Sequence, residues 1–336
     1  MNAPLPALVW LITALPIAAV LTRLVLSIAR RRNFVDKPNQ RSSHVEPRAL
    51  GGGWAVVLTV LPLWAVVSWI ADQPPPWAIL AAAVLLVAVS WADDLRNLPP
   101  LPRLLAHVAA AGIGVAALPG DQLVFQGILP FWADRLVAGI AWVWFVNLYN
   151  FMDGIDGITG VETTTIALGL TIVMITVGAG GTLAIEAVVL GGAMLGFLIW
   201  NWQPARIFLG DVGSVPIGFL TGWLLLAAAA NGLWAPALIL PGYYLADATV
   251  TLLRRAARGD RIWQAHREHF YQQAVRAGLS HGSVALRILA TNLLLVVLAV
   301  ATSFTGPAGK WFLVVAAAVA ITVLLCLLAA RRAVAS

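Results

Sequence analysis

An all-α, polytopic integral membrane bundle of about eleven spanning helices is the fold class this sequence predicts, and three observations predict it. Hydrophobic residues make up 60% of the 336 and charged residues 11%, against about 25% charged in soluble domains. Mean hydropathy is +0.87. Apolar runs close to the roughly 20 residues needed to cross a bilayer recur along the chain, separated by short polar connections. They fall near 7–29, 54–72, 77–92, 103–119, 131–149, 158–178, 183–200, 214–230, 233–252, 284–304 and 311–330. With no internal repeat and no linker of distinct composition, they form one membrane domain over 1–336.

The first run follows an uncharged stretch and ends in Arg30-Arg31-Arg32, the reverse of a secretory signal. It reads as a retained helix with its N-terminus outside. Counting onward, the cytoplasmic segments are 30–53, 92–102, 150–157, 201–213, 253–283 and the C-terminal tail. Nearly all arginines in connections fall there, and only Arg135 and Lys310 fall clearly outside, as the positive-inside rule demands. The formal charge of +6 therefore marks membrane orientation rather than nucleic-acid binding. The single cysteine, Cys326, excludes an intramolecular disulfide.

Each inside segment carries polar residues that orientation alone does not require. Residues 147–157 hold Asn147, Asn150, Asp153, Gly154, Asp156 and Gly157. Carboxylates there can hold a hard cation or accept a proton, and glycines admit a phosphate close to backbone. The ordinary alternative is a polar turn between helices. The first inside loop offers Arg41, His44 and Arg48 ahead of Gly51-Gly52-Gly53, whose N–H groups open a helix where an anion can sit. Asp93 and Asp94 end the third run, adjacent like charges that disturb one another's ionisation. A helix-end pair balanced by Arg96 and Arg103 is the plainer reading. Further on, Phe208, Gly210 and Asp211 precede a helix start, with Phe208 able to face a flat ring. His266, Arg267 and His269 lie in the longest inside loop, the histidines three apart and neighbours if that stretch is helical. Zinc is disfavoured, because this is not H-E-x-x-H and no cysteine is near. A hard divalent ion bound through one or two carboxylates plus substrate phosphates suits the set, and points to Mg²⁺.

Four blocks in order, DKPNQRSSHVEPRALGGG, DDLRNLPPLPRLL, NLYNFMDGIDGITG with FLGDVGS, and the histidine loop HREHFYQQ, resemble the polyprenyl-phosphate N-acetylhexosamine-1-phosphate transferases, glycosyltransferase family 4. The resemblance runs from about residue 36 to 285. It implies transfer of a sugar 1-phosphate from a UDP-N-acetylhexosamine to undecaprenyl phosphate with Mg²⁺, or Mn²⁺ as substitute, releasing UMP at the cytoplasmic face of the bacterial inner membrane. Asp211, with Asp94, would then hold the metal, while Asn147, Asn150, Asp153, Asp156, Phe208 and Gly210 would line the nucleotide side. Asp93 and Asp94 would flank the phosphates, with Asp93 deprotonating the lipid phosphate. His266, Arg267 and His269 would steady the diphosphate, and Arg41, His44, Arg48 and Gly52 would add contacts from the first loop. Surrounding membrane lipid is a further partner, a homodimer is allowed, and nucleic acid is not a partner. The loop lacks the run of consecutive histidines of the peptidoglycan branch, and RSSH with YQQAVRAGLSHGSV looks more like initiators of O-antigen. The rival class is a transporter or flippase of a lipid-linked or phosphorylated substrate, for which Arg23, Glu162, Glu186 and Asp247 are the few candidate intramembrane residues.

Overall fold

Proline, glycine and charge set where the apolar runs begin and stop. The computed structural model describes residues 4–36, 47–261 and 266–330. Its helices are α1 (Pro4–Arg31), α2 (Gly53–Ile70), α3 (Trp77–Arg96), α4 (Pro100–Ala117), α5 (Phe131–Met152), α6 (Ile158–Thr176), α7 (Thr182–Asn201), α8 (Asp211–Ala230), α9 (Trp234–Ile239), α10 (Gly242–Ala257), α11 (Phe270–Arg276), α12 (His281–Ala301) and α13 (Pro307–Ala330). Two-residue strands β1 (Val35–Asp36) and β2 (Arg48–Ala49) pair antiparallel beside them. Arg30 and Arg31 close α1, where cations meet the negative end of the helix. Asn97, in the left-handed region at φ 49°, stops α3, and Pro100 opens α4 at a position where a missing N–H costs nothing.

Nine helices among the described residues are long and apolar enough to cross a membrane. Two predicted segments remain. One is α5, whose Asp134, Arg135, Asn147 and Asn150 dilute an otherwise apolar 22-residue helix. The other, 233–252, is corrected: it is not one helix but α9 and α10, broken at Leu240-Pro241. Proline removes a ladder hydrogen bond and clashes with the preceding turn. Such a break inside a bundle needs protein partners for its polar groups. Just after the break, Glu162 accepts the Tyr244 backbone N–H and Thr159 Oγ1 lies 2.9 Å from the Tyr244 hydroxyl.

α6 and α8 form the most buried part of the bundle, and α1, α4 and α13 expose apolar faces on its periphery. The C-terminal ends of α1, α3, α5, α7 and α10 and the N-terminal ends of α2, α4, α6, α8 and α12 lie at one end. Hydrogen bonds join them: Phe208 N–H to the Ala49 carbonyl at 2.8 Å, Gly157 N–H to Asn201 Oδ1 at 3.0 Å and Ala205 N–H to Asp156 Oδ2 at 3.0 Å. The opposite end is closed by Asp134, whose carboxylate accepts the Val124 and Phe125 N–H groups at 3.1 and 2.8 Å.

The start of α2 meets the start of α8 backbone to backbone. A Cβ on Gly53 would lie 2.2 Å from Gly213 Cα, so neither helix could carry a side chain at the crossing. Gly53→Ala should therefore lower stability by roughly 1–3 kcal/mol or more, the cost of overpacking. Gly112→Ala, with open space around its Cβ in α4, should be neutral or stabilising by up to about 1 kcal/mol. Thermal unfolding of the purified variants in detergent checks the contrast.

Candidate active site

At this end of the bundle the adjacent carboxylates of α3 turn to different partners. Asp94 reaches across to α8 and accepts the N–H groups of Asp211 and Val212, each at 3.2 Å. A carboxylate at a helix N-terminus satisfies orphan donors and meets the positive end of the dipole. Gly210 makes this approach possible, because its φ is +76° and a Cβ there would come within 3.2 Å of Asp94 Oδ2. Asp93 is buried at 7% exposure; Oδ1 accepts the Leu98 N–H at 2.7 Å and Oδ2 lies 2.6 Å from Arg103 Nη1. Arg103, one turn into α4, also stands 3.8 Å from Asp211 Oδ2. The same oxygen faces Asn150 Nδ2 at 3.5 Å, and Asn150 Oδ1 accepts the Ser214 hydroxyl at 2.7 Å. Asp93, Asp94, Arg103, Asn150 and Asp211 thus converge from α3, α4, α5 and α8. Asn147, one turn before Asn150, donates its amide to the Val143 carbonyl at 2.7 Å.

The two aspartates of the 153–157 turn sit in opposite environments. Burial pushes the Asp153 carboxyl up to about 6, only partly offset by a Thr159 hydrogen bond. For Asp156 burial also raises the pKa, but hydrogen bonds from His281 and the Ala205 N–H, with the charges of His281 and Arg48, outweigh it and hold the carboxyl below its ordinary value. Asp156 Oδ1 lies 3.1 Å from His281 Nδ1. Asn201 completes the tie by accepting the Gly157 N–H at 3.0 Å and donating to the Ile207 carbonyl at 2.9 Å. Asp156 is therefore a clamp between the turn, the 201–207 segment and α12, whereas the Asp153 carboxyl is raised by burial to about 6.

The histidine loop docks on the same turn. Tyr271 donates its hydroxyl to the Phe151 carbonyl at 3.1 Å, and a Cβ on Gly154 would fall 2.2 Å from that hydroxyl. His269, 2% exposed, lies 3.2 Å by Nδ1 from Asp247 Oδ1. His266 is not helical, a correction to the expected spacing rule; the loop instead brings its ring to 4.9 Å from that of His269. Burial, aided by His269 and Arg255, pushes His266 down to about 4. It is neutral at pH 7, an uncharged ring able to hydrogen-bond. Arg267 is half-buried beside it.

Gly52 differs from expectation. Its N–H donates to the Phe208 carbonyl at 2.8 Å and that of Gly53 to Leu209 at 2.9 Å, so these donors are spent inside the protein and form no open anion cradle. A Cβ on Gly52 would strike the Phe197 ring at 2.5 Å; close packing, not phosphate approach, requires glycine there. Phe208 is half-buried on this segment, and Arg48 sits in β2 opposite Asp36. Arg41 and His44 lie outside the described residues.

Among the described residues, no three His, Cys, Asp or Glu side chains are grouped to cage a metal. Asp94 and Asp211 are the carboxylates placed together, one bonded to the backbone of the other, and each retains acceptor capacity. This donor set fits Mg²⁺, which is held by one or two carboxylates with phosphate and water completing the shell. Arg103 was weighed in the sequence only as a counter-charge, although proline at the start of α4 places it in the first turn. Asp247, Tyr271 and His281 act through contacts more than 20 residues away in sequence, for which local pattern carries no signal.

Fold and site together define a polytopic membrane protein with clustered carboxylates and one central arginine at the end of its bundle. Residues 76–229 match the family described as glycosyl transferase family 4. A Streptomyces coelicolor protein assigned by name to the glycosyltransferases is 32% identical over 87% of this chain and 69% of its own length. A Bacillus subtilis protein assigned as an undecaprenyl-phosphate N-acetylglucosaminyl 1-phosphate transferase is 26% identical over 80% of this chain and 77% of its own. A decaprenyl-phosphate N-acetylglucosaminephosphotransferase of Mycolicibacterium smegmatis is 28% identical over 96% and 88%. The chain belongs to glycosyl transferase family 4, among the polyprenyl-phosphate hexosamine-1-phosphate transferases.

Two outcomes follow from the site's packing and charge. Gly154→Ala should displace Tyr271 and impair the histidine loop, and adding Tyr271→Phe, which removes the nearest atom, should restore part of the thermal stability lost. For Asp153, the folded state binds more protons than the unfolded between about pH 4 and 6, so stability falls as pH rises through that window and the cost persists above it. Asp153→Asn should accordingly raise stability at pH 7.5 by on the order of 1–3 kcal/mol, with the gain vanishing below about pH 4, while turnover drops. Unfolding and activity measured on one preparation check both signs.

Proposed function

We propose that this chain transfers an N-acetylhexosamine 1-phosphate from a UDP-N-acetylhexosamine to undecaprenyl phosphate, releasing UMP and starting a cell-surface polysaccharide such as O-antigen. The observation that carries this reading is the meeting of four helix ends in one polar cluster, where Arg103 faces Asp93 and Asp211, Asn150 faces Asp211, and Asp94 holds the start of α8. In the reaction an oxygen of the acceptor phosphate attacks the β-phosphorus of the donor, and the bond to the UMP oxygen breaks. Such displacement needs alignment and charge neutralisation more than covalent help. Three carboxylates around one arginine would repel a diphosphate, so anionic substrates require further positive charge in this cluster. We assign that charge to Mg²⁺ on Asp211 and Asp94, which when bound would neutralise the phosphate oxygens.

Arg103 would then be the protein's own cation toward the phosphates, with Asp93 fixing its guanidinium. Both Asp93 oxygens are engaged, by Leu98 N–H and by Arg103. This favours a positioning role over the expected role as base. A phosphate monoester has its second ionisation near about pH 6, so at neutral pH the acceptor is largely a dianion without help. Asp153 and Asn150 would meet the nucleotide, and His266 and His269 the diphosphate. The names of the relatives support N-acetylglucosamine as the sugar. The site end carries most of the arginines and the opposite end Arg135 and Lys310, which supports a cytoplasmic site in the bacterial inner membrane. The exposed apolar faces of α1 and α13 are left to lipid or to a second copy of the chain.

Purified protein given undecaprenyl phosphate, Mg²⁺ and a panel of UDP-sugars should release UMP, fastest with an N-acetylhexosamine. Substrate uptake into vesicles with no turnover would instead establish a transporter. Asp211→Asn should cut turnover roughly 10²- to 10³-fold or more while the protein stays folded; near wild-type activity with unchanged Mg²⁺ dependence removes it from the metal site. Asp93→Asn should lower turnover by a similar factor from pH 6 to 9. A loss that shrinks as pH rises would restore Asp93 as the base.

A further inference from the structure

We propose that Asp247 is the positioning residue of the histidine loop: its carboxylate holds His269 as the Nδ1–H form and leaves Nε2 as the ring atom offered to substrate. The inference rests on the assignment of His269 to the diphosphate. Asp247 lies in α10, on the chain 22 residues before His269, and is fully buried at 0% exposure. An isolated buried carboxylate is costly and persists only when its lone pairs are filled. Here they are filled from two directions. From its own helix, Tyr243 donates its hydroxyl to Oδ2 at 3.1 Å and Thr251 to Oδ1 at 3.3 Å. From the histidine loop, Phe270 N–H donates to Oδ1 at 3.0 Å and Tyr271 N–H to Oδ2 at 3.3 Å, while His269 Nδ1 stands 3.2 Å from Oδ1.

Every other partner in this set is a donor, so the carboxylate is an acceptor throughout and in the proposed form the imidazole atom facing it carries the proton. A saturated carboxylate of this kind has no capacity left to relay ions, which removes Asp247 from the transporter candidates. Stacking fixes the remaining freedom of the ring. Tyr271 lies nearly parallel to it, at 5.7 Å and 15°, and His266 flanks it at 4.9 Å. Tyr271 is itself bonded to the Phe151 carbonyl, so the ring that Asp247 orients is placed relative to the 153–157 turn. A cap for α11 alone needs only an acceptor, which asparagine also provides; fixing the tautomer needs the carboxylate.

The test uses the full-length protein labelled with ¹⁵N-histidine in detergent, together with a double-mutant cycle. In the wild type, the His269 signal, assigned by its loss in His269→Gln, should show a proton on Nδ1. In Asp247→Asn the amide can turn its own N–H toward the ring, and the proton should move to Nε2. Turnover should fall by up to about 10⁴-fold, the loss found when a catalytic histidine is held in the wrong tautomer. The Asp247→Asn/His269→Gln double variant should be no slower than His269→Gln alone within about threefold, because both act through one ring. An unprotonated Nδ1 in the wild type overturns the proposal even if Asp247→Asn fails to fold. Losses that multiply in the double variant overturn it as well, and reduce Asp247 to a cap. The nuclear magnetic resonance readout needs no turnover, so it stands apart from the fate of the proposed reaction.

Discussion

The carboxylate of Asp94 on the first N–H groups of α8 is the contact on which the arrangement of this protein depends. It joins the last turn of α3 to the first turn of α8, two helix ends of opposite polarity, and is worth about 1–2 kcal/mol where partly buried. Its larger effect is geometric. With α8 held there, Asp211 enters the cluster from the helix start, Asn150 and Ser214 lock α5 against α8, and Arg103 finds Asp93 and Asp211 together. The approach is possible because Gly210 adopts a left-handed φ and because Gly53 and Gly213 let α2 and α8 touch.

Chemically similar side chains are divided between tasks by their surroundings. Asp93 and Asp94 are neighbours in sequence, yet one holds an arginine and the other a helix. Asp153 and Asp156 are three residues apart, and burial raises the first to about 6 while His281 and Ala205 hold the second down. Pairs of acids pushed in opposite directions are how a site keeps both an anion and a titratable group at neutral pH. The raised carboxyl costs stability, and proteins tolerate such costs where function requires them.

Much of this was legible in the sequence, because a bilayer forces long apolar runs and places cations on one side. Ten of the eleven segments, the blocks that meet at one end and the candidates Asp93, Asp94, Asn150, Asp153 and Asp211 follow from that pattern. Pro241-Gly242 was visible but lost inside an apolar run of the expected length, so α9 and α10 read as one helix. Gly52 and Gly53 read as an anion cradle because a glycine needed for helix contact and one needed for phosphate approach look identical; only Phe197, Phe208 and Gly213, brought in from elsewhere, separate them. In the sequence Asp247 reads as one of a few candidate intramembrane pathway residues. Its partners lie 22 to 24 residues onward in a loop, and no local period encodes that contact.

On the proposed reading the carboxylates and arginine at this end, with the histidine loop beside them, handle a diphosphate and cleave between its two phosphorus atoms. A UDP-N-acetylhexosamine radiolabelled at the phosphate next to the sugar tests this most directly, with undecaprenyl phosphate as acceptor and the products separated into lipid and water. The label should pass into the lipid fraction with the sugar while unlabelled UMP remains in the water. Label retained in water-soluble UDP, with the sugar alone on the lipid, would contradict it.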